Sequence, residues 1–237
     1  MSALWYLTGI EAEDDFFTDS IPEEYGAMSE RPVHMLDIRR DFPSPQFEKI
    51  VPDPGMWRNG MAVRMPNHLG DAVMALPALG QLRKIIPPRC ALYCIAPAGQ
   101  RALYHSLPVV DGIVPLERIH SGWSREELML LRRLRLGVGV LFNNSFRDAL
   151  SMRLAGVPNL YGAKARCRSF LLRRAFAFPP RPEREPANIH HANRYLAIAS
   201  ALGAPDWDGV LPEFRLSPGV DELPPAITAL CEHPKLL

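Results

Sequence analysis

Apolar segments alternate with amphipathic segments along most of the chain after residue 60. Short apolar runs predict strands near residues 61–65, 91–96, 112–116 and 137–142, with a shorter one at 159–163. Helical periodicity predicts helices near residues 71–86, 98–107, 124–136 and 145–155, and a longer one over 187–202. Strands and helices that alternate at this spacing form βαβ units with right-handed crossovers, so we predict an α/β fold with a parallel sheet.

The segments on either side of this alternating region have a different character. Residues 1–56 are acidic, rich in proline and without sustained periodicity, and we interpret them as an irregular extension. Residues 204–237 are rich in Pro, Gly and Asp at their start and are interpreted as an interdomain linker, with a brief helix near 224–232. The main domain is therefore predicted to span residues 57–203.

The turn after the first predicted strand carries the most informative polar residues. An apolar strand, Met61–Met65, runs into the polar turn Pro66–Gly70, and a helix is predicted to open directly on Asp71. Gly70 is expected to let the backbone turn sharply. In open α/β sheets such a turn lies at the carboxyl edge, where ligands bind. A simple capping role for Asp71 is the alternative, and the turn lacks the second and third glycines of a dinucleotide-binding fingerprint.

Three segments, in matching order, resemble the family 9 glycosyltransferases, which are ADP-heptose:lipopolysaccharide heptosyltransferases. The first comprises Leu69-Gly70-Asp71, Pro77, Leu79, Leu82 and Arg83. The second is similar to the heptosyltransferase II branch and comprises Leu141–Leu150, Arg153–Pro158 and Tyr161-Gly162. The third comprises His191–Leu196 and Ala201–Gly203. The resemblance covers roughly residues 60–237 and implies the Rossmann-like N-terminal domain of a GT-B fold, with the second domain essentially absent.

This resemblance also implies an activity, the transfer of heptose from ADP-heptose to the lipopolysaccharide inner core with inversion. Asp71 would be the base that takes the acceptor proton, and His68 is the alternative base. The donor would sit mainly on the second domain, of which residues 234–237 would begin the first strand. The chain alone is therefore expected to be inactive. No metal ion and no cofactor beyond the donor substrate are expected.

Polar and basic residues near the predicted strand ends are candidates for acceptor binding: Asn67, His68, Asn144, Ser145, Arg147, Lys164, Arg166 and Arg168. Asn144 and Ser145 are equally suited to capping the following helix. The three basic residues between 164 and 168 alternate along a segment predicted to be extended, so they would project to one face. Guanidinium groups there suit carboxylates and phosphates of an inner core, and a solvated basic edge is the alternative.

Two residues of the last predicted helix, His191 and Arg194, are expected either to line the interdomain cleft or to orient that helix. His190 precedes them, but adjacent residues on a helix point about 100° apart, and no carboxylate lies at a spacing suited to a shared metal ion. The four cysteines, Cys90, Cys94, Cys167 and Cys231, are scattered, and the first two are expected to be buried thiols.

Charge is distributed unevenly along the chain. Residues 56–182 carry nineteen basic and six acidic side chains, whereas residues 1–55 carry four and twelve. A basic middle region indicates an anionic partner, for which an inner-core acceptor is the first interpretation. A non-catalytic α/β module or remnant that binds anionic glycans is the alternative. A basic nucleic-acid-binding domain is a weaker one, because no DNA- or RNA-binding signature accompanies the charge.

The chain has no apolar run near the ~20 residues needed to cross a bilayer. Met1–Ile10 lacks the basic start of a signal peptide, and acidic residues follow at once. We therefore expect a cytoplasmic protein, with peripheral association at the inner face of the inner membrane left open.

Overall fold

The computed structural model describes residues 45–119, 121–178 and 191–215. Within them six parallel strands form one sheet in the order β3-β2-β1-β4-β5-β6. The strands are β1 Gly60–Arg64, β2 Ala91–Pro97, β3 Gly112–Leu116, β4 Val138–Leu141, β5 Asn159–Ala163 and β6 Arg174–Phe176. The helices are α1 Leu69–Met74, α2 Leu76–Ile85, α3 Arg101–His105, α4 Arg125–Leu134, α5 Phe146–Leu154 and α6 His191–Ala201.

The strands β1 to β5 confirm the pattern-based prediction, and β6 was not predicted. The helix expected over 71–86 is two helices, with Ala75 between α1 and α2. Pro77 explains the break, because a proline has no backbone N–H and its ring clashes with the carbonyl four residues earlier. The first four residues predicted for the helix over 187–202 lie outside the described residues.

The start of α1 differs from the prediction. His68 is the N-cap residue and Leu69 begins the helix, so Asp71 is the third residue of the first turn and does not open the helix. The helix has no side-chain cap hydrogen bond. Gly70 lies inside this turn and is not among the glycines with positive φ. The expectation of a sharp turn at Gly70 is therefore wrong, because the chain turns in the non-glycine residues before it.

The strand order places a topological switch point beside β1. The chain builds β2 and β3 on one side of β1 and then crosses over to build β4, β5 and β6 on the other side. Arg64 at the end of β1 is in register with Leu141 at the end of β4. The loops that follow these two strands therefore leave the same edge in different directions and open a crevice, which is where open α/β sheets bind ligands.

Side chains alternate between the faces of the sheet and enter two separate cores. Met61 and Val63 share one core with side chains of α2 and α6. Ala62 shares the other core with side chains of α4 and α5. A parallel sheet covered on both faces accounts for the continuous apolar runs of its strands. Cys90 and Cys94 are free, buried thiols, as predicted, and burial raises the pKa of Cys94.

The described parts of the two flanking segments lie against the domain. The ring of Phe47 is 5.0 Å from those of Phe176 and Phe178, and the Pro54–Met56 segment forms a 3₁₀ turn. At the other end, Arg215 donates its backbone N–H to Ser106 O at 2.6 Å. The predicted domain boundaries stay predictions, and residues 1–44, the brief helix near 224–232 and the strand at 234–237 lie outside the described residues.

Gly60 is a position where only glycine fits the first strand. Its φ is +136°, and an added Cβ would lie 2.0 Å from the carbonyl oxygen of Ala91 on the neighbouring strand. We expect Gly60→Ala to lower the free energy of unfolding by about 3 kcal/mol or more, measured by urea denaturation. Gly55→Ala is the matched control, because nothing lies within 4 Å of its added Cβ. Equal stabilities of the two variants would contradict the prediction.

Candidate functional site at the carboxyl edge

Polar residues from three loops gather at the carboxyl edge of the sheet. The turn with Asn67 and His68 follows β1 and leads to Asp71 in α1. The loop with Asn144 and Ser145 follows β4, on the other side of the switch point, and a third loop follows β5. The topology therefore brings together the predicted residues of the first two loops, although they lie more than 70 positions apart in the sequence.

A buried ion pair joins the β1 and β4 sides of this crevice. Arg64 ends β1 with a fully buried side chain, and its Nε donates to Asp148 Oδ2 in α5 at 2.8 Å. Burial lowers the pKa of Arg64, and the negative charge of Asp148 opposes that effect. A buried charge requires such a partner, because desolvation of an unpaired ion is costly.

Asp148 is also hydrogen-bonded by neutral donors. Trp123 Nε1 donates to Oδ1 at 2.9 Å, and the side-chain amide of Asn143 donates to Oδ2. With Arg64 these donors satisfy both carboxylate oxygens, as a buried carboxylate requires. The loop after β4 is thereby fixed to the end of β1.

The turn after β1 is anchored on both of its sides. Arg64 Nη2 donates to Asn67 Oδ1 at 2.5 Å, and Gln100 Nε2 donates to the backbone oxygen of Asn67 at 2.8 Å. The hydroxyl of Tyr104 donates in turn to Gln100 Oε1 at 3.2 Å, and burial raises the pKa of that hydroxyl. The Asn67 side chain therefore holds the turn in place, and its predicted contact with an acceptor stays a prediction.

Asp71 meets His191 across the space between α1 and α6. Asp71 Oδ1 lies 3.4 Å from His191 Nδ1, with 30% of the Asp71 side chain and 53% of the His191 side chain exposed. Tyr195, one turn further along α6, is buried, and its pKa is raised first by that burial and then by the charge of Asp71. The carboxylate is thus both reachable from solvent and held next to an imidazole. The position of His191 at an interdomain cleft stays a prediction.

Arg194 lies on the same helix and packs against an aromatic ring. Its guanidinium carbon is 4.6 Å from the centroid of the Phe178 ring. This distance is within the range of a cation–π interaction. The contact fixes α6 against the segment that follows β6, and a role of Arg194 in an interdomain cleft stays a prediction.

The segment with Lys164, Arg166 and Arg168 is not extended. Arg166 and Cys167 have φ values of +44° and +54°, and the chain turns there. An extended strand needs negative φ at each residue, so the expected projection of the three basic side chains to one face is wrong. Lys164 and Arg166 are exposed, whereas the Arg168 side chain is fully buried.

Arg168 ties the loop after β5 to the loop after β4. Its Nη2 donates to Ala163 O at 2.9 Å, and its Nη1 donates to Ser145 O at 3.3 Å. Burial lowers the pKa of Arg168 to about 10, against the attraction of Asp148. The Arg168 guanidinium therefore binds backbone carbonyls of this chain, and its predicted contact with acceptor anions stays a prediction.

Ser145 is the N-cap residue of α5, as one of the two interpretations expected. Its Oγ accepts a hydrogen bond from the backbone N–H of Asp148 at 3.2 Å. Asn144 and Arg147 are exposed beside it, and Asn144 Oδ1 lies 3.5 Å from Arg168 Nη2. Acceptor binding by these residues stays a prediction.

Solved structures of known function have the same architecture. The chain is similar to E. coli ADP-heptose lipopolysaccharide heptosyltransferase II, with 25% sequence identity and a TM-score of 0.51 over 67% of this chain and 47% of that one. The predicted resemblance to family 9 is confirmed. A glycosyltransferase of family 9 from Veillonella parvula matches at 15% identity and a TM-score of 0.54, covering 75% of this chain and 47% of that one. The E. coli heptosyltransferase WaaC with ADP matches at 12% sequence identity and a TM-score of 0.51, covering 64% of this chain and 49% of that one.

The matches confirm the predicted Rossmann-like α/β fold, a parallel sheet flanked by helices that is similar to part of the GT-B heptosyltransferases. The chain spans about half the length of these solved structures. No family model and no curated protein matches the chain.

The residues that hold this edge of the sheet together, above all Arg64 and Asp148, were not among the candidates predicted from the sequence. The available signal was a single arginine at the end of an otherwise apolar strand, which must find an acidic partner if that strand is central.

Among the described residues, no group of three or more His, Cys, Asp or Glu side chains could hold a metal ion. No helix in the described ranges is long and apolar enough to cross a membrane.

Proposed function

We propose that this chain forms the acceptor-binding and base-supplying half of an inverting glycosyltransferase that uses ADP-heptose. The observation that carries the proposal is the position of Asp71, a partly exposed carboxylate at the switch-point crevice, held next to His191. The likeness to heptosyltransferase II supports the choice of donor and of an inner-core acceptor.

Inversion requires a single in-line displacement at the anomeric carbon. In the proposed step the Asp71 carboxylate takes the proton of the acceptor hydroxyl. At the same time the oxygen of that acceptor hydroxyl forms the new bond to the anomeric carbon. The bond to the diphosphate breaks, and ADP leaves with the electron pair. His191 faces Oδ1, which leaves Oδ2 for the acceptor and fixes the orientation of the carboxylate. The step uses no metal ion and no further cofactor.

The acceptor is proposed to lie along the exposed polar side chains of the same edge. These are His68, Asn144, Arg147, Lys164 and Arg166. Exposed guanidinium groups suit carboxylates and phosphates of an anionic saccharide. The donor is proposed to bind mainly to a second domain, so that the two reactants meet in a closed cleft. We propose a cytoplasmic location, at the inner face of the inner membrane.

Grafting this domain onto a donor-binding half tests the proposal. Residues 45–215 would be fused to the half of heptosyltransferase II that the chain does not match, and transfer from ADP-heptose to an inner-core oligosaccharide would be followed. We expect transfer by the fusion and none by the 237-residue chain alone. Micromolar ADP-heptose binding or transfer by the chain alone would contradict this division of labour. A fusion that folds and binds acceptor without turnover would favour a non-catalytic module that binds anionic glycans.

The exposed arginines of the edge are expected to differ from the buried one. Arg147→Ala and Arg166→Ala should each weaken acceptor binding by roughly threefold to tenfold at low salt, and less at high salt because screening weakens exposed charges. Arg168→Ala should instead lower thermal stability, because its guanidinium binds backbone carbonyls. Calorimetric titration with an inner-core oligosaccharide measures the first effect. The control is Arg89→Ala, at an exposed arginine that precedes β2 and so lies at the opposite edge of the sheet. Unchanged affinity of both exposed-site variants would show that these arginines are only surface charge.

A further inference from the structure

The helices α4 and α5 present a strongly basic outer surface. Residues 121–156, which contain both helices, have six basic and three acidic side chains. Two of those acids, Glu127 and Asp148, are buried, so Glu126 is the exposed one. Five of the six arginines of this region are exposed. The charge of the surface is therefore more one-sided than the sequence count alone indicates.

The same surface exposes large apolar side chains. Met129 and Leu130 on α4 are 40% and 41% exposed, and Leu154 on α5 is 60% exposed. Phe170, in the 3₁₀ turn that contacts α5, is 75% exposed, and its ring lies 6.1 Å from that of Phe146. Apolar side chains grouped in this way are characteristic of interaction surfaces.

A groove connects α4 with the end of α5 and shows that the two helices form one surface. It has a volume of about 670 Å³ and is lined by Met129, Ala155 and Gly156 together with the arginines Arg58, Arg132, Arg133 and Arg135. Across the described residues, no carboxylate pairs with any of these four guanidinium groups. A second groove, of about 480 Å³, continues along α4 and shares Met129 and Arg133 with the first.

We infer that this surface, called the α4–α5 face, docks onto an anionic lipid bilayer. Unpaired guanidinium groups attract lipid phosphates, and each basic residue near a charged bilayer adds to the affinity. Exposed apolar side chains beside them can enter the boundary between head groups and acyl chains. A nucleic acid would bind the arginines but would leave Leu154 and Phe170 without a role.

Bilayer contact through this face leaves the Asp71–His191 pair of the candidate site uncovered. Asp71 and His191 belong to α1 and α6, whose buried residues lie in the core on the other side of the sheet. The inference stands apart from the proposed glycosyl transfer, because it rests on other residues and its test measures binding alone.

Vesicle sedimentation with the 237-residue chain tests the inference. We expect at least tenfold stronger binding to vesicles of phosphatidylcholine with 30% phosphatidylglycerol than to pure phosphatidylcholine, with weakening as salt rises. Equal binding to both vesicles, or binding to neither, would overturn the inference.

Two sets of variants separate the charged and apolar contributions. Arg125→Gln, Arg132→Gln and Arg133→Gln together should weaken binding by about 10- to 100-fold. Leu154→Ser with Phe170→Ser should weaken it by roughly tenfold at unchanged charge. The matched control removes three exposed charges elsewhere, Lys49→Gln, Arg89→Gln and Arg101→Gln, and should change binding by less than about twofold. Thermal unfolding of each variant checks that it is folded.

A fluorophore on Cys167 gives a second measurement at the face itself. Cys167 is an exposed free cysteine three residues before Phe170, whereas Cys90 and Cys94 are buried. With Cys231 replaced by serine, an environment-sensitive dye at Cys167 should shift to the blue on anionic vesicles. The same dye on Arg101→Cys, with Cys167→Ser, should not shift. The absence of a shift at Cys167 would overturn the inference. Displacement of the protein from vesicles by single-stranded RNA, with no effect of the Leu154 and Phe170 changes, would identify a polyanion site and would also overturn it.

Discussion

Asp71→Asn is expected to lower kcat of the fusion enzyme by about 100-fold or more, the usual cost of losing a general base. Asparagine has nearly the same shape as aspartate but cannot accept the proton of the acceptor hydroxyl. The side chain is partly exposed and makes no cap hydrogen bond, so the fold should be unaffected. Steady-state transfer at saturating donor and acceptor measures the effect.

Three further variants distinguish the loss of the general base from the loss of the residue that orients it. Asp53→Asn, at another exposed carboxylate, should leave turnover unchanged. His191→Gln should lower kcat by only several-fold, because His191 orients Asp71 and does not take the proton. The double change of Asp71 and His191 should then be no worse than Asp71→Asn alone, because the two residues act together. Near-normal turnover of Asp71→Asn would remove Asp71 as the base, and His68→Ala would test the alternative.

The sheet could be predicted because its strands are buried on both faces. Such strands appear in the sequence as continuous apolar runs, and all five predicted strands are present. The strand that was not predicted is β6, which has only three residues and an exposed arginine, Arg174, at the edge of the sheet. Pro77 was a visible signal for the break between α1 and α2, and the helical periodicity on both sides of it concealed that signal.

The candidate site was predictable in its location and not in its contacts. A parallel sheet sends the residues after β1 and β4 to one edge whatever their identities. Which of them bind each other depends on tertiary packing: Arg64 and Asp148 are 84 residues apart. The turn at Arg166 was not predicted for a different reason. Non-glycine residues rarely adopt positive φ, and the local sequence does not indicate where one of them does so.

Arg64→Met is expected to lower the free energy of unfolding by about 3–5 kcal/mol, the range for breaking a buried ion pair. Methionine fills much of the space but leaves the Asp148 carboxylate buried without its cation. This is a large part of the 5–15 kcal/mol typical of a folded domain. Urea denaturation of the 237-residue chain measures the loss. Arg83→Met is the matched control: Arg83 also bonds a carboxylate, Asp111, at 2.8 Å, but those side chains are 30% and 40% exposed, so its loss should cost less than about 1 kcal/mol.

Removing both charges separates the penalty of an unpaired ion from the value of the pair. Arg64→Met with Asp148→Asn should regain more than half of the stability lost in the single variant, because no buried charge is left uncompensated and the side-chain oxygen can still accept from Trp123. Equal losses in the Arg64 and Arg83 variants would contradict the argument, since burial is what distinguishes the two pairs at the same distance. Arg64 also holds Asn67 in the turn that leads to Asp71. The double variant in the fusion enzyme should therefore regain stability without regaining full turnover, which would assign the ion pair to positioning the base as well as to holding the sheet edge together.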